Sequence, residues 1–252
     1  MADVKENVFL RLKYFNLGMF GFHIFQVFLM LYLSNDFTLP VTYTVPQYDA
    51  VTQTIAPVSE SLWEIRVAPL VALFMFISAA HLFISTVLYD KYKYNLKNHM
   101  NPYRWFEYSI SASVMIVIIA MLTTIYDLGA LIALFTLTAV MNLLGYMMEL
   151  HNQTTEKTNW TAYYIGCIVG FVPWIVIFIS LIAAESVPDF VIAIFITIAI
   201  FFNCFAINMV LQYKKVGRWR DYLYGEKVYI ILSLVAKSAL AWQVYAGTFR
   251  PA

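Results

Sequence analysis

Seven times in its 252 residues the chain stays apolar long enough to cross a bilayer, which takes about 20 residues per helix. The runs cover about 12–33, 67–88, 102–125, 128–149, 160–183, 189–213 and 228–247. With 62% of residues apolar and 12% charged, the chain has more apolar surface than a water-soluble domain of this length can hide. The fold class that follows is an all-α membrane protein, a seven-transmembrane-helix bundle forming a single domain over 1–252. The breakers fit this division. Pro69 and Pro102 fall in first helical turns, where a missing N–H costs little. Asp127-Leu-Gly129 and Ser186-Val-Pro188-Asp189 are tight turns. The first apolar run is too long for a signal-peptide core and carries no small-residue cleavage site, so it reads as a retained helix.

The one long connection, about 34–66, contains Pro40, Pro46 and Pro57 among β-branched and aromatic residues. Its alternation from Thr38 to Tyr48 predicts a short exposed β-hairpin. The formal net charge of +1 gives no reason to expect nucleic acid. Cys167 and Cys204 lie inside apolar runs, read as small buried hydrophobes, and offer no zinc or disulfide spacing.

Lysine and arginine set the expected orientation. Lys5, Arg11, Lys13, Lys91, Lys93, Lys97, Arg104, Lys157, Lys214, Lys215, Arg218, Arg220 and Lys227 fall on one side, with Arg66 and Arg250 on the other. The bias puts the N-terminus in the cytoplasm, and the C-terminus and the hairpin outside, in a multi-pass protein of the cell membrane. These basic loops act first as topology determinants; the alternative is that they bind anionic lipid or a partner.

Lys237 stands in the apolar run from Val228 to Ala246 with no other charge near it. A lysine at membrane depth is expensive and marks a functional site. An amine in a dry pocket can lose its proton and condense with an aldehyde to a Schiff base. Other polar residues recur at helical spacing: Asn16, His23 and Gln26; Ser78, His81 and Ser85; Arg104, Glu107 and Ser111, with Met115 a turn on; Thr138, Asn142, Gly145 and Glu149; Ser233 and Lys237. Such stripes face inward in a bilayer. Glu107 is the natural anion for Lys237, as counter-ion or as a structural salt bridge. Their depths are expected to differ by about a helical turn. Glu149 reads as an exposed rim carboxylate or as part of a second polar site with Arg104. His23 and His81 read as packing residues or as acceptors of a released proton; no third metal ligand has the right spacing to them. Mid-helix Pro173 beside Trp174, together with Phe202, Asn203, Met115, Met141 and Gly145, suggests a slot for a flat, conjugated, apolar ligand.

Four strings carry a family resemblance: Ser233-Leu-Val-Ala-Lys237-Ser-Ala-Leu-Ala-Trp242-Gln, Arg104-Trp105-Phe-Glu107-Tyr108-Ser, Gly166-Cys-Ile-Val-Gly170-Phe-Val-Pro173-Trp174 and Phe201-Phe-Asn203. A fifth is Tyr224-Gly-Glu226. Over nearly its whole length the chain resembles the heliorhodopsins, retinal proteins whose N-terminus is cytoplasmic, opposite to ordinary microbial rhodopsins. It lacks the aspartate-threonine-aspartate pattern of proton pumps. The resemblance implies all-trans retinal on Lys237 with Glu107 as counter-ion, and a pocket including Ser233, Ser111, Tyr108, Met115, Met141, Gly145, Pro173, Trp174, Phe202 and Asn203. It also implies a polar cavity with His23, His81, Ser78 and Gln26, and a cytoplasmic polar site grouping Arg104, Glu149, Glu226 and Trp242. A homodimer in membrane lipid is implied, with slow photochemistry and sensory output to a cytoplasmic partner rather than enzymatic activity. A light-driven or light-gated ion pathway is the alternative.

Overall fold

The computed structural model describes residues 2–249, with side chains over 7–248. In chain order it runs α1 (Ala2–Leu33), β1 (Thr38–Asp49), β2 (Thr54–Arg66), α2 (Val67–Val87), α3 (Tyr89–Lys97), α4 (Pro102–Leu122), α5 (Leu128–His151), α6 (Thr161–Ala183), α7 (Asp189–Tyr213), a 3-10 turn (Gly217–Arg220), α8 (Tyr222–Val244) and a π turn (Tyr245–Phe249). Among the described residues, seven helices are long and apolar enough to span a membrane; α3 is not one of them. Arg250, counted toward orientation, lies outside the described residues, as does the Lys5 side chain.

The apolar-run boundaries miss two helical extensions. α1 begins about ten residues before 12 and α8 six before 228. Both extensions carry charged residues, which form helix readily but break an apolar count. α3, YDKYKYNLK, escaped for the same reason: it is short and polar on one face, and buries Tyr92 and Leu96.

Neighbouring helices pack in sequence, α1 on α2, α4 on α5, α5 on α6 and α7 on α8, and α2 against α4 closes the interior. α4 is the central helix. Both its polar residues (Arg104, Glu107, Ser111) and its apolar ones (Met115, Ile116, Ile119) are buried. Lipid-facing residues such as Phe28, Phe76, Ile132, Phe171 and Ile196 remain exposed on the other helices, as expected where lipid replaces a core.

The hairpin is longer than the alternation predicted, because the second strand, TIAPVSESLWEIR, is exposed almost throughout and lacks a buried face to read. The strands pair antiparallel from Thr38↔Arg66 to Asp49↔Thr54, with a bulge at Val41/Thr42. Pro46 stands opposite Pro57, tolerable in a two-stranded ribbon where each strand has an outward edge. A lone hairpin is marginal in water, and this one is tied at its base. Leu39 and Val41 are buried, Thr42 N–H donates to Tyr126 O at 2.9 Å, and Val67 N–H donates to Phe37 O at 3.1 Å. At the tip, the Val51 N–H and the Thr52 hydroxyl donate to Asp49 and hold its carboxyl below the usual range.

The residue joining hairpin and bundle is Asp127. It pairs with Thr42 through the backbone, and its carboxylate accepts from Ala130 N–H at 2.9 Å to cap α5. Asp127→Ala is expected to lower stability by about 1 kcal/mol, read as a lower midpoint of thermal unfolding in detergent. An unchanged midpoint would mean that this cap contributes nothing.

Candidate functional site

Two charged clusters occupy the bundle interior, one above the other along α4 and α8. The deeper is centred on Lys237, 3% exposed, whose Nζ donates to Glu107 Oε1 at 2.7 Å. Nζ also donates to Ser233 Oγ at 2.9 Å and to Ser78 Oγ, and the Ser78 hydroxyl donates to Glu107 Oε1 at 2.6 Å. The ammonium lies 5.3 Å from the centroid of the Tyr108 ring. α2, α4 and α8 therefore each supply a polar group to one amine. A buried lysine without such partners would carry a desolvation cost of several kcal/mol.

The expected depth mismatch is resolved by side-chain reach. Asn101 Nδ2 donates to Glu226 Oε2 at 2.9 Å, which sets α4 and α8 level at those residues. Glu107 is then six residues along α4 and Lys237 eleven along α8. The five-residue difference is about 7.5 Å at 1.5 Å per residue. Helical side chains lean toward the N-terminus, so the long lysine stem reaches back toward Glu107.

The second cluster is Arg104 with two carboxylates. Its guanidinium pairs with Glu149 through one terminal nitrogen and with Glu226 through the other. All three are at most 2% exposed. Glu149 is thus a buried partner, not a rim carboxylate, and Arg104, counted among the orientation cations, is internal. Asn101 braces both acids: its N–H donates to Glu149 Oε2 at 2.8 Å and its side-chain amide to Glu226. Its Oδ1 accepts from Arg104 N–H at 3.2 Å as the cap of α4. The guanidinium lies 3.9 Å from the Tyr229 ring centroid and 4.6 Å from that of Trp105. Tyr92 of α3 faces Glu226 and Asn101, and burial pushes its hydroxyl well above the ordinary tyrosine range, so it stays neutral.

His23, Ser78, His81, Asn101, Arg104, Glu107 and Ser233 line a cavity of about 10 Å³ between the clusters, room for about one water. His23 Nδ1, His81 Nε2 and Arg104 Nε have no protein partner, and buried polar atoms of this kind are met by ordered water. Gln26 of the same stripe is buried but turns elsewhere: its Oε1 accepts from Trp242 Nε1 at 3.3 Å.

An apolar chamber of about 50 Å³ adjoins Lys237, lined by Tyr108, Ser111, Met115, Met141, Phe202, Ser233 and Ala236. Tyr108, Met141, Asn142, Phe202 and Phe205 also line a larger cavity of about 490 Å³ among α4, α5, α6 and α7. Gly145, Trp174 and Asn203 fall in this larger cavity rather than beside the amine. Asn203 is exposed and its amide donates to Ala199 O at 2.8 Å. Pro173 is buried and lines neither cavity. Cys167 is exposed and lines the larger cavity, contrary to the buried-hydrophobe reading. Two glycines keep the walls thin: a Cβ at Gly145 would overlap the Trp105 ring, and one at Gly170 the Met141 side chain.

The grouping of Trp242 with the Arg104 cluster fails. It lies sixteen residues beyond Glu226 on α8, about 24 Å away along the helix, and packs edge-on against Tyr245. Sequence reasoning missed Asn101, Trp105 and Tyr229. Asn101 had a signal, an asparagine directly before a helix-starting proline; Trp105 stood in a string that carried the resemblance but was given no role, and Tyr229 had no signal.

Fold and site together define a seven-helix, rhodopsin-like membrane protein with an amine–carboxylate pair beside an apolar chamber. A family model described as heliorhodopsin matches residues 12–249, nearly the whole chain. The chain belongs to the heliorhodopsin family: it is a light-sensing membrane protein with a retinal chromophore. No curated protein matches it.

Removing one partner from a buried ion cluster strands the others. Glu226→Gln is expected to destabilise the folded protein by about 3 kcal/mol or more, seen as a fall in thermal midpoint larger than that of Asp127→Ala. An equal or smaller fall would show that Asn101 and Glu149 suffice to hold Arg104.

Proposed function

We propose that retinal is carried on Lys237 through a Schiff base, with Glu107 as counter-ion, and that residues 1–252 work as one sensory domain. The observation that carries this reading is the buried Lys237–Glu107 contact of 2.7 Å at the mouth of an apolar chamber. The residues fit the chromophore. The amine is buried, Met115, Met141 and Phe202 offer apolar walls, and Gly145 and Gly170 let the Trp105 ring and the Met141 side chain pack close against α5 and α6. When bound, retinal supplies visible absorption and an all-trans to 13-cis photoisomerisation.

The protein's own groups manage one proton. In the dark, Glu107, Ser78 and Ser233 hold it at Lys237 Nζ, because an anion and two hydroxyls favour the charged form. When that geometry is disturbed, Glu107 is the nearest acceptor. His23 and His81 stand across the small polar cavity as further acceptors. The Arg104–Glu149–Glu226 cluster closes the opposite end. A proton that moves within this sealed set supports a slow cycle and a sensory output better than vectorial transport.

The orientation we propose, from the lysine and arginine bias, puts the N-terminus, α3 and the Gly217–Arg220 turn in the cytoplasm and the hairpin outside. Exposed apolar side chains on the hairpin and on the lipid-facing helices suit a homodimer. A transport reading has one observation in its favour, the polar cavity that joins Glu107 to Arg104. Electrical recording under illumination separates the two: a photocurrent that reverses with an ion gradient would overturn the purely sensory reading.

Adding all-trans retinal to the expressed protein is expected to give a visible band that Lys237→Ala abolishes. Glu107→Gln is expected to red-shift the band, because removing the carboxylate charge lowers the excitation gap. A band that survives Lys237→Ala would sink the attachment site, and an unshifted band in Glu107→Gln the counter-ion.

A further inference from the structure

The turn between α7 and α8 carries a basic surface that the photochemistry does not use. Lys214, Lys215, Arg218 and Arg220 are all exposed there, with Val216 beside them at 47% exposure. The nearby carboxylate of Asp221 is committed to capping α8, accepting from Leu223 N–H at 3.0 Å. No carboxylate pairs with these four cations among the described residues.

A basic loop on a membrane protein is ordinarily loose, and this one is pinned. Lys215 and Gly217 take left-handed backbone with φ of 53° each, folding the segment into the 3-10 turn Gly217–Arg220. Between the two arginines, Trp219 points back into the protein. Its Nε1 donates to Asn208 Oδ1 at 2.6 Å, and its ring meets Tyr224 edge-on at 5.0 Å. The Asn208 amide donates in turn to Gly225 O at 3.2 Å. Gln212 donates to Tyr222 O at 3.1 Å and packs so closely on Gly225 that a Cβ there would come within 2.7 Å of its amide. Gly225 precedes Glu226, the α8 partner of Arg104. The turn is therefore held by side chains one residue from the buried ion cluster.

We propose that this pinned turn is the docking surface for an acidic segment of a water-soluble partner protein, with Arg218 and Arg220 reading carboxylates and Val216 supplying a small apolar contact. The proposal rests on the sensory reading above and gives its output a place and a chemistry. Diffuse attraction to anionic lipid needs only net charge and is served equally well by flexible lysines. Arginine forks on a fixed backbone pre-organise two-point recognition of carboxylates, and the indole–Asn208 bond has no purpose in a merely electrostatic loop. Movement of α8 at Glu226 would reach the turn through Gly225, Asn208 and Trp219.

The test uses the full chain, loaded with retinal and kept in the dark, in discs of zwitterionic lipid, with a fluorescent oligoglutamate peptide as probe. Arg218→Gln/Arg220→Gln is expected to weaken binding roughly tenfold. Trp219→Phe, which removes only the indole donor, is expected to weaken it several-fold with every charge retained. Lys91→Gln/Lys97→Gln on α3, a removal of equal charge, is expected to change it less than twofold. The proposal is overturned if Trp219→Phe binds as well as the unaltered protein, or if the α3 variant loses as much as the turn variant. It is also overturned if discs with phosphatidylglycerol abolish peptide binding and that loss disappears in Arg218→Gln/Arg220→Gln, since the turn then belongs to the bilayer. These outcomes are read without light and leave the assignment of Lys237 to stand or fall on its absorption band.

Discussion

Every other feature of the interior answers to the need to keep a lysine ammonium in a medium that cannot hydrate it. Lys237 is tolerated because Glu107, Ser78 and Ser233 surround its Nζ. Those partners come from three helices, so the pair fixes how α2, α4 and α8 meet. Glu107 in turn needs its cation, and loss of either charge leaves the other stranded at a cost larger than the pair's net contribution. A pair of this kind is weak evidence for stability. It is better explained as a device retained for the state changes it permits, since moving one proton between its members rewrites the electrostatics of the whole core.

Much of this was legible in the sequence, for definite physical reasons. The bilayer requires long apolar helices, so seven spans stand out by length alone. Polar residues in lipid face inward, so spacing brought out Asn16, His23, Ser78, Glu107, Thr138 and Lys237, and all are buried. Where the signal depends on one helix set against another, spacing is silent. It places Glu149 at the end of a helix but cannot tell rim from interior, because that depends on Arg104 reaching across from α4. The resemblance grouped Trp242 with Glu226, although the two lie near opposite ends of α8. The exposed second strand of the hairpin and the polar α3 carry no strong apolar period, and the extents of both were missed. The two cavities divide a ligand slot that composition could describe only as a list of aromatic residues and methionines.

The asymmetry between the two charged clusters suggests how the core is organised. Around Lys237 the partners are a single carboxylate and two hydroxyls, with histidines across a small cavity. Around Arg104 the guanidinium is always charged, and both acids are braced by Asn101, whose own backbone starts α4. The small polar cavity lies between the two clusters, lined by Arg104 and Asn101 from one side and by Glu107, Ser78 and Ser233 from the other.

α8 is the element that both clusters share. Glu226 anchors its basic end to Arg104 and α4, while Lys237 holds its middle to Glu107 and Ser78. Eleven residues, about three turns, separate the two points. Over that length a helix transmits rotation and axial shift more readily than it bends, since its backbone hydrogen bonds resist local deformation. Any change in the contacts at Lys237 Nζ therefore pulls against the Arg104 anchor, not against solvent. The anchored end continues directly into Gly225 and the turn that Trp219 pins. A chain that needed only to bind a chromophore would have no use for a second buried ion cluster at the base of the same helix. On the sensory reading proposed above, its position there makes α8 the lever, with a fixed support at Arg104, that carries a proton shift at Lys237 to the protein's surface.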